Sequence, residues 1–277
     1  VRTVEPIIAG VDGSEHSAVA LAWALGEAEL RRAEVRVLVV NDNPTRDRVV
    51  EEAVADVVNR FRARRPTAGI TATIARGRPA AELIRSSARA QLVVLGARGR
   101  GAAAGMLLGS VSTKVATHAH CPVVVVREHR ERGPVLVGVD DTPHGQQVLR
   151  FAFEEAVARQ AELVVARVWE APGAEYSVVL APPEELAEAR SQAEFSLGMQ
   201  LAGWHERYPD LQVRRHTPRG HPVETLSARA RHAQLLVVGH RTRRGWFGKL
   251  LLGSVASGLL HRAHCPIAVI RSGVHVT

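Results

Sequence analysis

Leu92-Val-Val-Leu-Gly-Ala-Arg-Gly99, then nine residues, then Gly109-Ser110, is the stretch of this 277-residue chain whose reading decides the fold. Leu92 to Leu95 reads as an apolar strand, and Val111 to His118 follows with helical spacing. Between them lies a glycine-rich turn. Glycines let a backbone approach an anion closely, and the first N–H groups of a helix have no partner within it. A strand that ends in such a turn and passes into a helix can hold phosphate.

The surrounding sequence occurs twice. Ile7-Ile-Ala-Gly-Val-Asp12 is matched by Val135-Leu-Val-Gly-Val-Asp140, and Val35-Arg-Val-Leu-Val-Val40 by Leu163-Val-Val-Ala-Arg-Val168. Arg76-Gly-Arg-Pro79 is matched by Arg219-Gly-His-Pro222, and Leu92-Val-Val-Leu-Gly96 by Leu235-Leu-Val-Val-Gly239. Ala119-His-Cys-Pro122 is matched by Ala263-His-Cys-Pro266. These ordered matches establish a duplication, with domains at 1–130 and 134–277. The charged run Arg127 to Gly133 joins them and is too short to let them swing freely. The second copy carries 15 further residues, around Ala171 to Glu185, between its second and third strands.

In the first copy, strands are expected near 6–11, 35–40, 70–75, 91–95 and 122–127, and helices near 15–32, 47–65, 79–89 and 110–119. Ser14 and Thr142-Pro143 suit the cap and first turn of the opening helices. Unbroken apolar runs such as Val123-Val-Val-Val126 fit strands buried on both faces. The fold class is α/β: two tandem open-sheet domains, each a parallel five-stranded sheet flanked by helices, Rossmann-like. Ligands of such sheets bind at the carboxyl ends of the strands, where Asp12, Gly96, Asp140 and Gly239 fall.

The apolar runs are far shorter than a membrane span, and no secretory leader is visible, so a cytoplasmic setting is expected. The net charge of +8 raises the question of nucleic acid. Its arginines are scattered, many near glutamates, and form no basic stripe interleaved with aromatics, which argues against that partner. Two cysteines, Cys121 and Cys265, make no disulfide framework.

The G-2x-G-9x-G-S pattern of Gly96, Gly99, Gly109 and Ser110 resembles the ATP-binding motif of the universal stress protein family. The Gly-Val-Asp start, the Gly-x-Pro before the third helix and the Cys-Pro before the last strand extend the likeness over nearly the whole chain, as a tandem. The resemblance implies ATP, with or without Mg²⁺. Asp12 and the backbone at Val40 would surround the adenosine, and Gly10 would let the ligand approach the first strand. Gly96, Arg98, Gly99, Gly109, Ser110, Val111 and Ser112 would hold ribose and phosphates. It also implies that the final strands pair antiparallel, which separates the two cysteines, and that two chains associate as a homodimer. The loop is neither a Walker A sequence nor a dinucleotide fingerprint.

In the second copy the corresponding residues are Gly138, Asp140, Val168, Gly239, Arg241, Thr242, Gly253, Ser254 and Val255. Thr242 stands at the second glycine position, and Gly253 follows Gly239 by 14 positions, against 13 from Gly96 to Gly109 in the first copy. A β-branched residue resists positive φ. The second site is therefore expected to be weaker than the first, or empty. His118, His120, His261 and His264 beside the cysteines lack metal-ligand spacing, and histidines in a last helical turn suit the helix dipole. Asp141 beside Asp140 reads as a helix-start carboxylate, and Trp169, Tyr176, Trp204 and Tyr208 as packing residues.

The resemblance implies a nucleotide-dependent regulatory or stress-response module that acts on an unidentified protein partner. A slow ATP hydrolase or nucleotidyl transferase using the same site, and an interaction protein with purely structural loops, are the alternatives. The residues offer no general base beyond Asp12 and no obvious nucleophile, so a binding role is favoured over an enzymatic one.

Overall fold

The computed structural model describes residues 4–41, 47–64, 69–99, 107–170, 182–240, 243–244 and 250–273. The chain forms two compact units. The first consists of 1–129, 240–253 and 266–277, and the second of 130–239 and 254–265.

In the first unit, β1 (Ile7–Gly10), β2 (Val35–Asn41), β3 (Ile70–Arg76), β4 (Leu92–Gly96) and β5 (Val123–Val126) alternate with α1 (Glu15–Arg31), α2 (Asp47–Arg64), α3 (Pro79–Ser86) and α4 (Ser110–His118). The spatial order is β3-β2-β1-β4-β5, all parallel. All residues of β4 and β5 are buried, as the unbroken valine and leucine runs require of strands covered on both faces. β3 lies at the edge and is mostly exposed. Because β1 pairs with β2 on one side and β4 on the other, the connections leave it in opposite directions. That crevice opens at the carboxyl ends of β1 and β4.

The second unit repeats the plan with β6 (Val135–Gly138), α5 (Gly145–Ala158), β7 (Leu163–Ala166), α6 (Pro183–Gln200), α7 (Trp204–Arg207), β8 (Val213–His216), α8 (Pro222–Ala230), β9 (Leu235–His240) and α9 (Ser254–Arg262). Its strands run β9-β6-β7-β8, all parallel. The short strands β10 (Arg243–Arg244) and β11 (Leu250–Leu251) pair antiparallel and belong to the first unit. The last strand, β12 (Ile267–Arg271), also belongs there and runs antiparallel to β5, with Ile267 opposite Val125 and Val269 opposite Val123.

Local chemistry explains the element boundaries. Ser14 caps α1 by accepting the Ser17 N–H at 3.2 Å. Gly77 and Gly220 sit at φ +129° and +143°, and the Pro two residues after each opens α3 and α8. Thr142-Pro143 does not start α5, which begins at Gly145. The Thr142 N–H and hydroxyl both donate to Asp140, and this tight turn delays the helix. Phe153, Trp204 and Tyr208 stack with centroids 4.5–6.0 Å apart, so Trp204 and Tyr208 are packing residues. Among the described residues no helix is long and apolar enough to cross a membrane.

Candidate functional site

A cleft of about 500 Å³ lies at the crevice of the first unit. Every residue of the first copy singled out from sequence lines it: Gly10, Asp12, Val40, Gly96, Arg98, Gly99, Gly109, Ser110, Val111 and Ser112. The volume falls within the roughly 300–1,000 Å³ usual for small-molecule sites. The apolar walls were not anticipated: Leu38 on β2, Pro79 and Leu83 on α3, and Leu95 on β4. Pro79 and Leu83 are four apart on one helix and so share a face, which is the sequence signal available for them.

The glycines do different jobs. At Gly10 the place of a Cβ is taken by Leu95 and Leu83 side-chain atoms, at 2.5 and 3.1 Å, so this glycine makes room for core leucines as well as facing the cleft. At Gly96 a Cβ would lie 2.7 Å from the His16 backbone carbon and oxygen, so here glycine lets α1 press against β4. At Gly99 a Cβ would lie 2.4 Å from the Asp12 Oδ2, so only glycine leaves this carboxylate its place. The other Asp12 oxygen accepts the Ser14 N–H at 3.0 Å.

The loop is fixed at both ends. The Ala97 N–H donates to Val126, the Gly109 N–H to Ala97 at 2.8 Å, and the buried Ser112 hydroxyl to the Gly96 carbonyl at 2.8 Å. Because the Ser112 proton is directed to Gly96, its side chain clamps the loop. Ser110 is exposed and starts α4, whose N-cap, Gly109, supplies no side-chain cap. The first amides of α4 thus remain available to an anion. The Arg98 guanidinium bonds to His16 Nε2, 3.2 Å from Nε and 3.1 Å from one Nη. Arg127 is close enough that its own pKa is lowered, by burial first and by the charge of Arg98 second. The glycine loop therefore faces a helix N-terminus and carries positive charge.

The second copy is built differently. Gly138 and Gly239 again make space for packing, against Leu226 and against Val148 and His144. Asp140 is turned onto Thr142. Val168 follows β7, and Ser254 and Val255 begin α9. The Gly253 N–H donates to Nδ1 of the fully buried His240 at 3.2 Å, where the first copy uses the Ala97 carbonyl. Arg241 and Thr242 lie outside the described residues, as does Tyr176. A wider cleft of about 860 Å³ in the second unit runs between the β6–α5 turn and α6, and none of the seven described residues among those named for the second copy lines it. Asp141 stands there, ion-paired with Arg167 and accepting from Ser196.

Cys121 and Cys265 are buried and form no disulfide, and burial pushes the Cys121 thiol up to about 12. Since the thiolate is the reactive form, the native protein is expected to resist a thiol-disulfide reagent such as dithiobisnitrobenzoate. Two thiols should react once it is unfolded in guanidinium, and rapid native labelling would contradict the burial. At the end of α4, Arg271 donates to the His118 and Ala119 carbonyls at 3.0 Å. His118 has its pKa lowered by burial and then by Arg271. The arginine, rather than a charged histidine, meets the negative end of that helix.

A sequence model of the Universal stress protein family matches residues 3–127 and again 131–271. Universal stress protein Rv2005c of Mycobacterium tuberculosis is 34% identical, over 98% of both chains. Universal stress protein Rv2623 of the same organism is 32% identical, over 97% of both. A crystal structure of a universal stress protein from Archaeoglobus fulgidus superposes with a TM-score of 0.71 at 20% identity, over 99% of this chain and all of that one.

Proposed function

The chain belongs to the universal stress protein family, with one copy of the family domain in each half, and from that premise we propose that its first copy binds ATP as a nucleotide-dependent regulatory module. The observation that carries this reading is the convergence of ten residues from four separate chain segments on one cleft at the crevice of the sheet. Leu38, Val40, Pro79 and Leu83 give an apolar wall suited to adenine, and Asp12 gives an acceptor for the nucleoside. The α4 amides, the Ser110 hydroxyl and Arg98 face the phosphates, with Mg²⁺ accompanying the nucleotide as its counter-ion. Among the described residues lining this cleft Asp12 is the sole carboxylate and there is no lysine, which favours holding the nucleotide over cleaving it. A change at the loop on binding would alter the surface offered to a protein partner.

The second copy does not support an equal site. Thr242 carries a Cβ at the position where Gly99 must have none. Mass spectrometry of nucleotide released from the purified protein, followed by calorimetric titration, tests both statements. One ATP per chain is expected. Asp12→Ala should weaken it about 10- to 100-fold, the equivalent of one charge-assisted hydrogen bond. Two equal sites would overturn the asymmetry, and no ATP binding by titration would overturn the proposal.

A further inference from the structure

We infer that His16 is a positioning residue for the phosphate-facing arginine: its imidazole holds Arg98 at the wall of the cleft before nucleotide arrives. This rests on the ATP reading of that cleft. His16 lies in the first turn of α1 and does not itself line the cleft, whereas Arg98 does. The place of the histidine is fixed from behind, because Gly96 allows its backbone to press directly on β4. From there Nε2 receives both Nε and one Nη of Arg98, at 3.2 and 3.1 Å. To accept both, Nε2 must be bare and the ring proton must sit on Nδ1. Among the described residues no hydrogen bond engages the second Nη. No carboxylate among the described residues pairs with Arg98, so its charge is left for an anion.

In the second copy the corresponding residue is His144, the N-cap of α5, whose Nδ1 hydrogen-bonds to Gln147 Oε1 at 2.9 Å. The first copy has Val19 where the second has Gln147, so His16 has no such partner in its own helix and turns to Arg98. An arginine free to sample its rotamers loses that freedom when it grips a phosphate. One already held loses less, and the difference appears as affinity.

The test compares ATP with adenosine by calorimetry on the full chain. His16→Leu removes the acceptor with little change of volume and should weaken ATP about three- to tenfold, leaving adenosine unchanged, because adenosine has no phosphate for Arg98 to meet. His16→Gln places an amide oxygen near the position of Nε2 and should restore ATP affinity to within about twofold of wild type. Where His16→Leu fails to fold, His16→Asn, one methylene shorter than Gln, takes its place with the same expected loss. An unchanged ATP affinity in the Leu or Asn variant overturns the positioning role and leaves the nucleotide reading intact. Equal losses for ATP and adenosine, unrelieved by Gln, mark a structural role and also overturn it. If wild type binds no ATP, the nucleotide reading fails and takes this inference with it.

Discussion

Gly99→Thr is expected to lower ATP affinity by about 100-fold or more while the melting temperature stays within about 2 °C of wild type. A Cβ at this position would lie 2.4 Å from the Asp12 Oδ2, a separation that non-bonded atoms do not sustain. Either the carboxylate swings away from the nucleoside or the loop retreats from the phosphates. Each route forfeits at least one hydrogen bond to a charged group, roughly 1.5–3 kcal/mol, and losing both multiplies the effect. Stability should be spared because Gly99 is exposed and is not among the residues held at positive φ. The substitution writes into the first copy what the second already has at Thr242. Calorimetric titration beside a thermal melt measures both quantities. Full ATP affinity in this variant would show that Asp12 and the loop need not be adjacent in the bound state.

Three positions earlier the consequence reverses. Gly96→Ala is expected to destabilise the protein by about 2–3 kcal/mol, seen as a fall in melting temperature of about 5–8 °C. The new methyl group would meet the His16 backbone at 2.7 Å, with β4 buried on both faces behind it. Backbone on one side and a packed sheet on the other leave nothing that can rotate aside. Gly10→Ala is the control: its obstacles are the ends of two leucine side chains, which can change rotamer, so it should cost about 1 kcal/mol less. Equal melting temperatures for the two variants would mean that α1 slides freely on β4.

Much of this was legible in the residues. The duplication, the parallel order and the cleft-facing side of the first copy follow from patterns set by neighbouring residues: valine runs, Gly-x-Pro starts, and glycines at the end of a strand. The apolar walls were not legible, because Leu38 and Leu83 also look like ordinary core leucines, and only the packing of α3 beside β2 turns them toward a ligand. The late start of α5 escaped for a related reason. Thr142-Pro143 is a good helix opening by propensity, but Asp140 competes for the same threonine hydrogen bonds and wins. Glycines were recognised as glycines, yet their separate tasks depend on what lies across from each: leucine tips at Gly10, a helix backbone at Gly96, a carboxylate at Gly99.

The strand that flanks β5 comes from the far end of the sequence, with Val123 opposite Val269. During synthesis this imposes a wait. At about 5–20 residues per second, the ribosome needs roughly 7–30 s after making Val123 to make its partner. Through that interval four consecutive valines offer an open row of N–H and C=O groups, the form of edge most prone to capture by another nascent chain. The first half of the protein is thus the first to be made and the last to be finished. Its yield in a cell is therefore expected to depend on translation speed and on chaperones that shield the emerging chain.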